Sequence, residues 1–354
     1  MRRGIGPTVM LRADMDGLPI REKTGLPYAS TQVVQRDGGA IPTMHACGHD
    51  MHVTAMIGAA QELAADPTWE GTIMVVFQPG EETGEGARAM INDGVFERFA
   101  KPDVVLSQHV SPLPAGFIGA HQGPAFAAAD SIKMKVFGTG GHGSQPERGV
   151  DVVLLAARLI THLHTIVPRE VTAFETAVLT IGEINAGSSP NVIPETATIT
   201  LTLHTFNPRV RTRLLQAIER VAHGNAAAAG ALRMPEMDII QSFPMLVNDP
   251  EATAQTNLAL ETLPGVEVLD PGALTNSEDV GEFSTAAGVP GVYWLLGGAD
   301  PRLAEDLASA SSIEDLLHSH PSNHSPYYAP VIHPTLGIGI CALVAAAKAW
   351  LARA

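Results

Sequence analysis

Residues 72–82 read TIMVVFQPGEE: six β-branched or apolar residues, then Gln78-Pro79-Gly80 and the carboxylates Glu81-Glu82. A run of that length and composition predicts a buried strand from Thr72 to Phe77, closed by a tight Pro-Gly turn. The same design recurs. Thr8–Leu11 ends in Arg12-Ala13-Asp14-Met15-Asp16, Val104–Ser107 ends in Gln108-His109, and Gly291–Leu296 closes in Gly297-Gly298. Between the first two strands, Val53–Ala65 predicts a helix stopped by Asp66-Pro67. Strands alternating with helices predict an α/β fold, and polar residues directly after several strands predict a ligand site beyond their carboxyl ends.

The middle of the chain has another rhythm. Ser131–Phe137 is a strand of alternating polarity, Val150–Val167 a helix, and Thr176–Ile184 and Thr196–Thr205 two strands. Arg209–Ala222 is a second helix and Met237–Gln241 a last strand. This β-α-β-β-α-β order is the ferredoxin-like pattern. The expected organisation is a catalytic domain formed by residues 1–124 and 239–354, with a ferredoxin-like domain of residues 125–238 inserted into it.

The chain has 354 residues, 45% hydrophobic and 17% charged, with a formal charge of −15. Two domains and a sizeable core fit this composition. The acidic balance argues against nucleic acid or an anionic membrane surface as partner. Two cysteines, Cys47 and Cys341, make no disulfide framework, and no apolar run reaches membrane-spanning length. The first seven residues lack a signal-peptide core, so a soluble cytoplasmic protein is expected.

His45, Cys47, His49, Asp50 and His52 fall within eight positions ahead of a helix. Imidazole, thiolate and carboxylate are donors that ions such as Zn²⁺ prefer, and five together weigh against an ordinary polar loop. The Glu81-Glu82 pair divides naturally into one carboxylate on a metal and one free to shuttle a proton from activated water; a solvated acidic turn is the plain alternative. His109 alone is equally compatible with a core histidine. His324, with His318 and His320 upstream, lies in a loop before the last helix, and Asp14 and Asp16 either hydrogen-bond ligand histidines or cap a turn. Gly138–Ser144 lacks the spacing of a phosphate loop, so a nucleotide site is not expected; its His142 suits an oxyanion donor.

Taken in order, LRADMDGLPI (11–20), MHACGHDMH (44–52), FQPGEETGEGA (77–87), LSQHV (106–110), FGTGGHGSQP (137–146), SPNVIPETA (189–197), SEDVGEF (277–283) and NHSPYYAP (323–330) resemble the aminoacylase-like metallopeptidase family. The branch they resemble is that of the hippurate hydrolases and indole-acetyl-amino-acid hydrolases. The resemblance implies metal-dependent hydrolysis of the amide bond of N-acyl amino acids. It implies two divalent ions, Mn²⁺ or Zn²⁺ with Co²⁺ or Ni²⁺ as substitutes. Cys47, His49, Glu82, His109 and His324 correspond to the ligands, with Cys47 bridging, and Glu81 to the general base. His142 and Asn191 correspond to substrate-polarising groups, and the inserted domain to a lid and dimerisation module of a homodimer or higher homo-oligomer. His204 stands where relatives carry an arginine, and it cannot offer the same bidentate fork to a substrate. Relatives also carry roughly fifty residues before the first motif that have no counterpart here, which leaves an inactive metal-binding relative as one rival. A dipeptidase or aminopeptidase on the same scaffold is the other.

Overall fold

The computed structural model describes residues 1–36, 38–303 and 320–353. In chain order the main elements are β1 (Thr8–Asp14), α1 (His49–Ala65), β2 (Trp69–Gln78), α2 (Gly86–Asn92), β3 (Val104–Pro114), β4 (Ala128–Phe137), α3 (Val152–Leu163) and α4 (Ile166–Glu170). They continue with β5 (Ala177–Ala186), β6 (Thr196–Thr205), α5 (Pro208–Ala228), β7 (Glu236–Phe243), α6 (Pro250–Leu260), β8 (Gly291–Ala299) and α7 (Thr335–Trp350). The fold is mixed α/β and divides into two compact units.

The first unit comprises Met1–Ala125, Leu246–Ala273 and Asp279–Ala354. Its sheet runs β2-β1-β3-β8 through the centre, with all three neighbouring pairs parallel. Parallel strands covered on both faces must be apolar throughout, and every residue of β1 is buried. Val9, Leu11, Ile73, Leu106, Val292 and Trp294 form the core with Ala55, Ala59 and Leu63 of α1 and Leu343 and Ala346 of α7. Arg12 and Asp14, charged yet buried in the same strand, are the exceptions that point to the site.

β3 extends past the expected end at Ser107. It leaves β1 after the Arg12–Ser107 pairing and continues along β8, where His109 pairs with Leu295 and Pro114 with Ala299. His109 therefore stands inside a strand rather than after one. Helix α1 begins four residues earlier than expected, at His49. Its N-cap, Gly48, sits at φ 82 with a would-be Cβ 2.4 Å from Val110 Cγ1, a position open only to glycine.

The second unit comprises Phe126–Met245 and Leu274–Glu278. Its antiparallel sheet has the order β5-β6-β4-β7, the ferredoxin-like arrangement. Ile132, Met134 and Val136 of β4 alternate inward with Ile199, Leu201 and Leu203 of β6, against Leu155 and Leu159 of α3 and Leu214 and Ile218 of α5. The single helix expected over 150–167 is two helices. Pro168 has no N–H and its ring crowds the carbonyl four residues back, at His164, where α3 ends.

Among the described residues no helix is long and apolar enough to cross a membrane. Within α7, an added Cβ at exposed Gly337 meets nothing within 4 Å, whereas one at buried Gly339 lies 2.8 Å from Leu296 Cδ2 and 3.0 Å from Gln108 Nε2. Gly337→Ala should therefore raise stability by about 0.5–1 kcal/mol. Gly339→Ala should lower it by about 1–3 kcal/mol through overpacking. Paired thermal or urea denaturation curves distinguish the two.

Candidate metal centre

The site assembles in the first unit at the carboxyl ends of β1 and β2, on β3 and at the start of α1. The turn after β2 places Glu81 and Glu82. It closes on itself through Gly86 N–H to Gly80 carbonyl, 3.0 Å, and Gly84 N–H to Glu81 carbonyl, 2.7 Å. A Cβ on Gly86 would lie 1.8 Å from the Pro79 carbonyl oxygen, so this return of the chain requires glycine. Gly48 turns the chain into α1 and sets Cys47 just before the helix, with His49 as its first residue.

His49 is fully buried, and neither ring nitrogen meets a partner in hydrogen-bond geometry among the described residues. Carboxylates surround it at longer range. Nε2 lies 3.7 Å from Asp14 Oδ2, 3.9 Å from Glu81 Oε2 and 4.0 Å from Glu82 Oε1, and Nδ1 lies 3.3 Å from Asp16 Oδ1. Glu82 Oε2 in turn lies 3.3 Å from His324 Nε2, and Cys47 Sγ 3.4 Å from His109 Nε2. Ligand-type atoms of Cys47, Glu82 and His324 fall within 4.8 Å of one another, as do those of His49, Glu81 and Glu82. The structure thus brings together Cys47, His49, Glu82, His109 and His324, with Glu81 beside them.

The electrostatics fit a cation. Burial alone would depress the His49 pKa, yet the negative charges of Asp14, Asp16 and Glu82 outweigh it and raise it to about 9. Burial pushes the Cys47 thiol upward, and Glu82, Glu81 and Asp14 push it the same way. Excess negative charge, a buried imidazole without hydrogen bonds and a thiol form a donor set suited to a borderline divalent ion. The residues present fit a metal.

Two neighbouring histidines are sorted by their hydrogen bonds. His52 donates from Nδ1 to Asp14 and accepts the Val110 N–H at Nε2, 2.8 Å, so both nitrogens are used. Burial, against Asp14's charge, lowers its pKa to about 4 and keeps the ring neutral. His109 donates from Nδ1 to the Val110 carbonyl, 2.7 Å, which leaves Nε2 unprotonated towards Cys47. Burial likewise lowers its pKa to about 4. Asp16 accepts the Glu82 N–H at 2.9 Å while facing His49, and so ties the turn to the helix. His45 and Asp50 are exposed at the rim.

His324 adopts φ 70, a left-handed conformation costly for a residue with a Cβ, of order 1–3 kcal/mol. Its N–H donates to the Ala46 carbonyl at 2.8 Å. The preceding Asn323 donates to the carbonyls of Cys47, 3.1 Å, and Val110, 3.2 Å. Sequence reasoning missed Asn323, although its place beside His324 was a usable signal, and it missed Arg12, Gln78 and Asp279 beneath the site. His318 lies outside the described residues.

The remaining candidates belong to the second unit. His142 pairs with Val192 in a short antiparallel bridge, and the Gly143 N–H donates to the Asn191 carbonyl at 2.8 Å, so His142 and Asn191 are neighbours. His142 Nδ1 lies 2.8 Å from Ser144 Oγ, and Ser189 Oγ donates to Asn191 Oδ1 at 2.8 Å. His204, on β6, keeps a buried Nδ1 with no hydrogen-bond partner among the described residues.

If the centre binds cations, adding Mn²⁺ or Zn²⁺ to chelator-treated protein should raise its melting temperature. Ligand at a thousandfold excess over Kd supplies about 4 kcal/mol. His49→Ala should remove most of that rise in differential scanning fluorimetry, and His45→Ala should leave it intact.

The model of Peptidase family M20/M25/M40 matches residues 10–318. The chain is 38% identical over 294 residues to the N-acetyl-L-cysteine deacetylase of Bacillus subtilis (strain 168), covering 82% of this chain and 67% of that protein. It is 33% identical over 302 residues to the N-acetyldiaminopimelate deacetylase of Geobacillus sp. (strain WCH70), covering 84% and 77%. Among solved structures, the Bacillus subtilis YXEP protein, described as a dinuclear metal binding peptidase from the M20 family, aligns with a TM-score of 0.72 at 27% identity, over 98% of this chain and 82% of that one. With a match over most of its length, the chain belongs to Peptidase family M20/M25/M40.

Proposed function

We propose that this protein is a metal-dependent amidohydrolase that cleaves N-acyl amino acids to a carboxylic acid and an amino acid. The observation that carries the reading is a pair of overlapping donor clusters, Cys47 with Glu82 and His324 and His49 with Glu81 and Glu82, with His109 Nε2 3.4 Å from Cys47 Sγ. Two relatives that the chain matches over most of its length are named as deacetylases of N-acetyl amino acids, which supports small acyl groups ahead of hippurate or indole-acetyl conjugates.

In this reading Cys47, His49, Glu82, His109 and His324 would hold two divalent ions, which when bound would supply Lewis-acid polarisation and lower the pKa of water. The Glu81 carboxylate takes the proton from the attacking water and returns it to the departing amine nitrogen. Glu81 is buried near His49, where a carboxylate is shielded from bulk water. His142 donates to the developing oxyanion, and Asn191 and the unpartnered Nδ1 of His204 orient the substrate. The second unit acts as a lid and dimerisation module of a homodimer.

The family's peptidase members favour a second reading, cleavage of dipeptides with a free amine, and one screen separates the two. Ninhydrin detection of amine release from N-acetyl, N-benzoyl and indole-acetyl amino acids, beside free dipeptides, should show metal-dependent turnover of the N-acetyl series. Turnover of dipeptides alone would refute the proposal. Glu81→Gln should retain bound metal and lose about 10²–10⁴ in kcat. Near-normal turnover would remove Glu81 from the role of base.

A further inference from the structure

Beneath the centre lies a buried polar network that none of the proposed ligands explains. The Asp279 carboxylate is fully buried, and three chain segments donate to it. They are Arg12 Nη2 at 3.1 Å, Gln78 Nε2 at 2.7 and 2.9 Å to the two oxygens, and the Ala87 N–H at 3.0 Å. Gln78 is the last residue before the turn that carries Glu81 and Glu82, and Ala87 is in the first turn of α2, directly after it. Asp279 therefore grips both ends of that turn.

The third arm reaches the other wall of the site. Arg12 donates from Nε to Gln78 Oε1 at 2.8 Å and from Nη1 to Asp14 Oδ2 at 2.8 Å. Asp14 faces His49 Nε2 at 3.7 Å and holds His52 through its other oxygen. A continuous hydrogen-bonded path thus joins both ends of the Glu81–Glu82 turn to the strand that faces His49.

We propose that Asp279 is a positioning residue: its carboxylate sets the spacing between the Glu81–Glu82 turn and His49, and thereby tunes the affinity and geometry of the bound cation. The proposal rests on the reading of the site as a metal centre. A purely structural carboxylate would contribute to stability alone. A positioning carboxylate also moves properties of the ion, and removal of such outer partners typically weakens metal binding about 10–100-fold.

The test compares wild type, Asp279→Asn and Gln78→Met, each titrated with Co²⁺ well below its melting temperature. Co²⁺ Kd, the visible absorption of the bound ion, and kcat and KM on an N-acetyl amino acid are read together. Both variants should bind Co²⁺ about tenfold or more weakly, shift the visible bands, and lose kcat with KM little changed. Wild-type Kd and spectrum in both variants, whatever their melting temperatures, would overturn the proposal. If Asp279→Asn does not fold, Gln78→Met decides by the same criteria. Wild type that takes up no Co²⁺ would overturn the metal-centre reading and this proposal with it; wild type that binds Co²⁺, matched by both variants, overturns this proposal alone.

Discussion

Burial of carboxylate charge at the end of one sheet is the constraint around which the first unit is built. Asp14 and Asp279 are fully buried, Glu81 nearly so, and Glu82 sits just behind them. Isolated charges in such a place are costly by several kcal/mol each, so every one needs a counter-charge or a donor. Arg12, planar and always protonated, serves Asp14 and Asp279 at once, which is why a guanidinium follows Val9, Met10 and Leu11 in a fully buried strand. Glu81 and Glu82 face His49 at 3.9 and 4.0 Å, a ring raised to a pKa of about 9 by the surrounding negative charge. A divalent ion would answer that excess of negative charge with the imidazole and thiol donors already in place.

The same carboxylates also decide what each imidazole does. Asp14 saturates His52, whose far nitrogen already accepts a backbone N–H, so His52 is a strut. His109 is held from the other side by the Val110 carbonyl, which fixes the tautomer and leaves Nε2 as a lone-pair donor towards Cys47. His49 lacks both kinds of anchor and faces only charges at 3.3–4.0 Å. Three histidines packed ring to ring thus have different chemistry, and backbone hydrogen bonds on a single strand account for two of them.

Much of this was legible in the sequence, because parallel buried strands announce themselves as apolar runs and their polar ends mark the ligand edge. The TIMVVFQPGEE stretch yields both the strand and the turn. The ferredoxin-like order of the middle segment survives in β4 to β7 because the 2-residue and 3.6-residue periods are clear there. What was not legible is whatever depends on distant pairing. His109 lies within β3 because β8, nearly two hundred residues later, extends the ladder past it. Asp279 bonds to Arg12 across 267 residues of chain, and no local pattern encodes that contact. The break between α3 and α4 is a different kind of miss, for Pro168 was in plain view and its clash with residue 164 is a local rule.

The proposed ligands differ in how firmly the fold holds them, and this bears on how such a site works. Cys47 and His49 are tied to the start of a seventeen-residue helix, His109 to the longest strand, and Glu82 to a turn closed by glycines. His324 alone is exposed, on a loop, with a left-handed backbone that its neighbour Asn323 restrains by two hydrogen bonds. Pre-organised donors reduce the ordering cost of binding an ion, and rigid elements supply most of them here. The strained, solvent-facing histidine is where stored backbone energy and access coincide. The position of His324 thus rests on the Ala46, Cys47 and Val110 carbonyls that hold its own N–H and the Asn323 amide, and not on a helix or a strand.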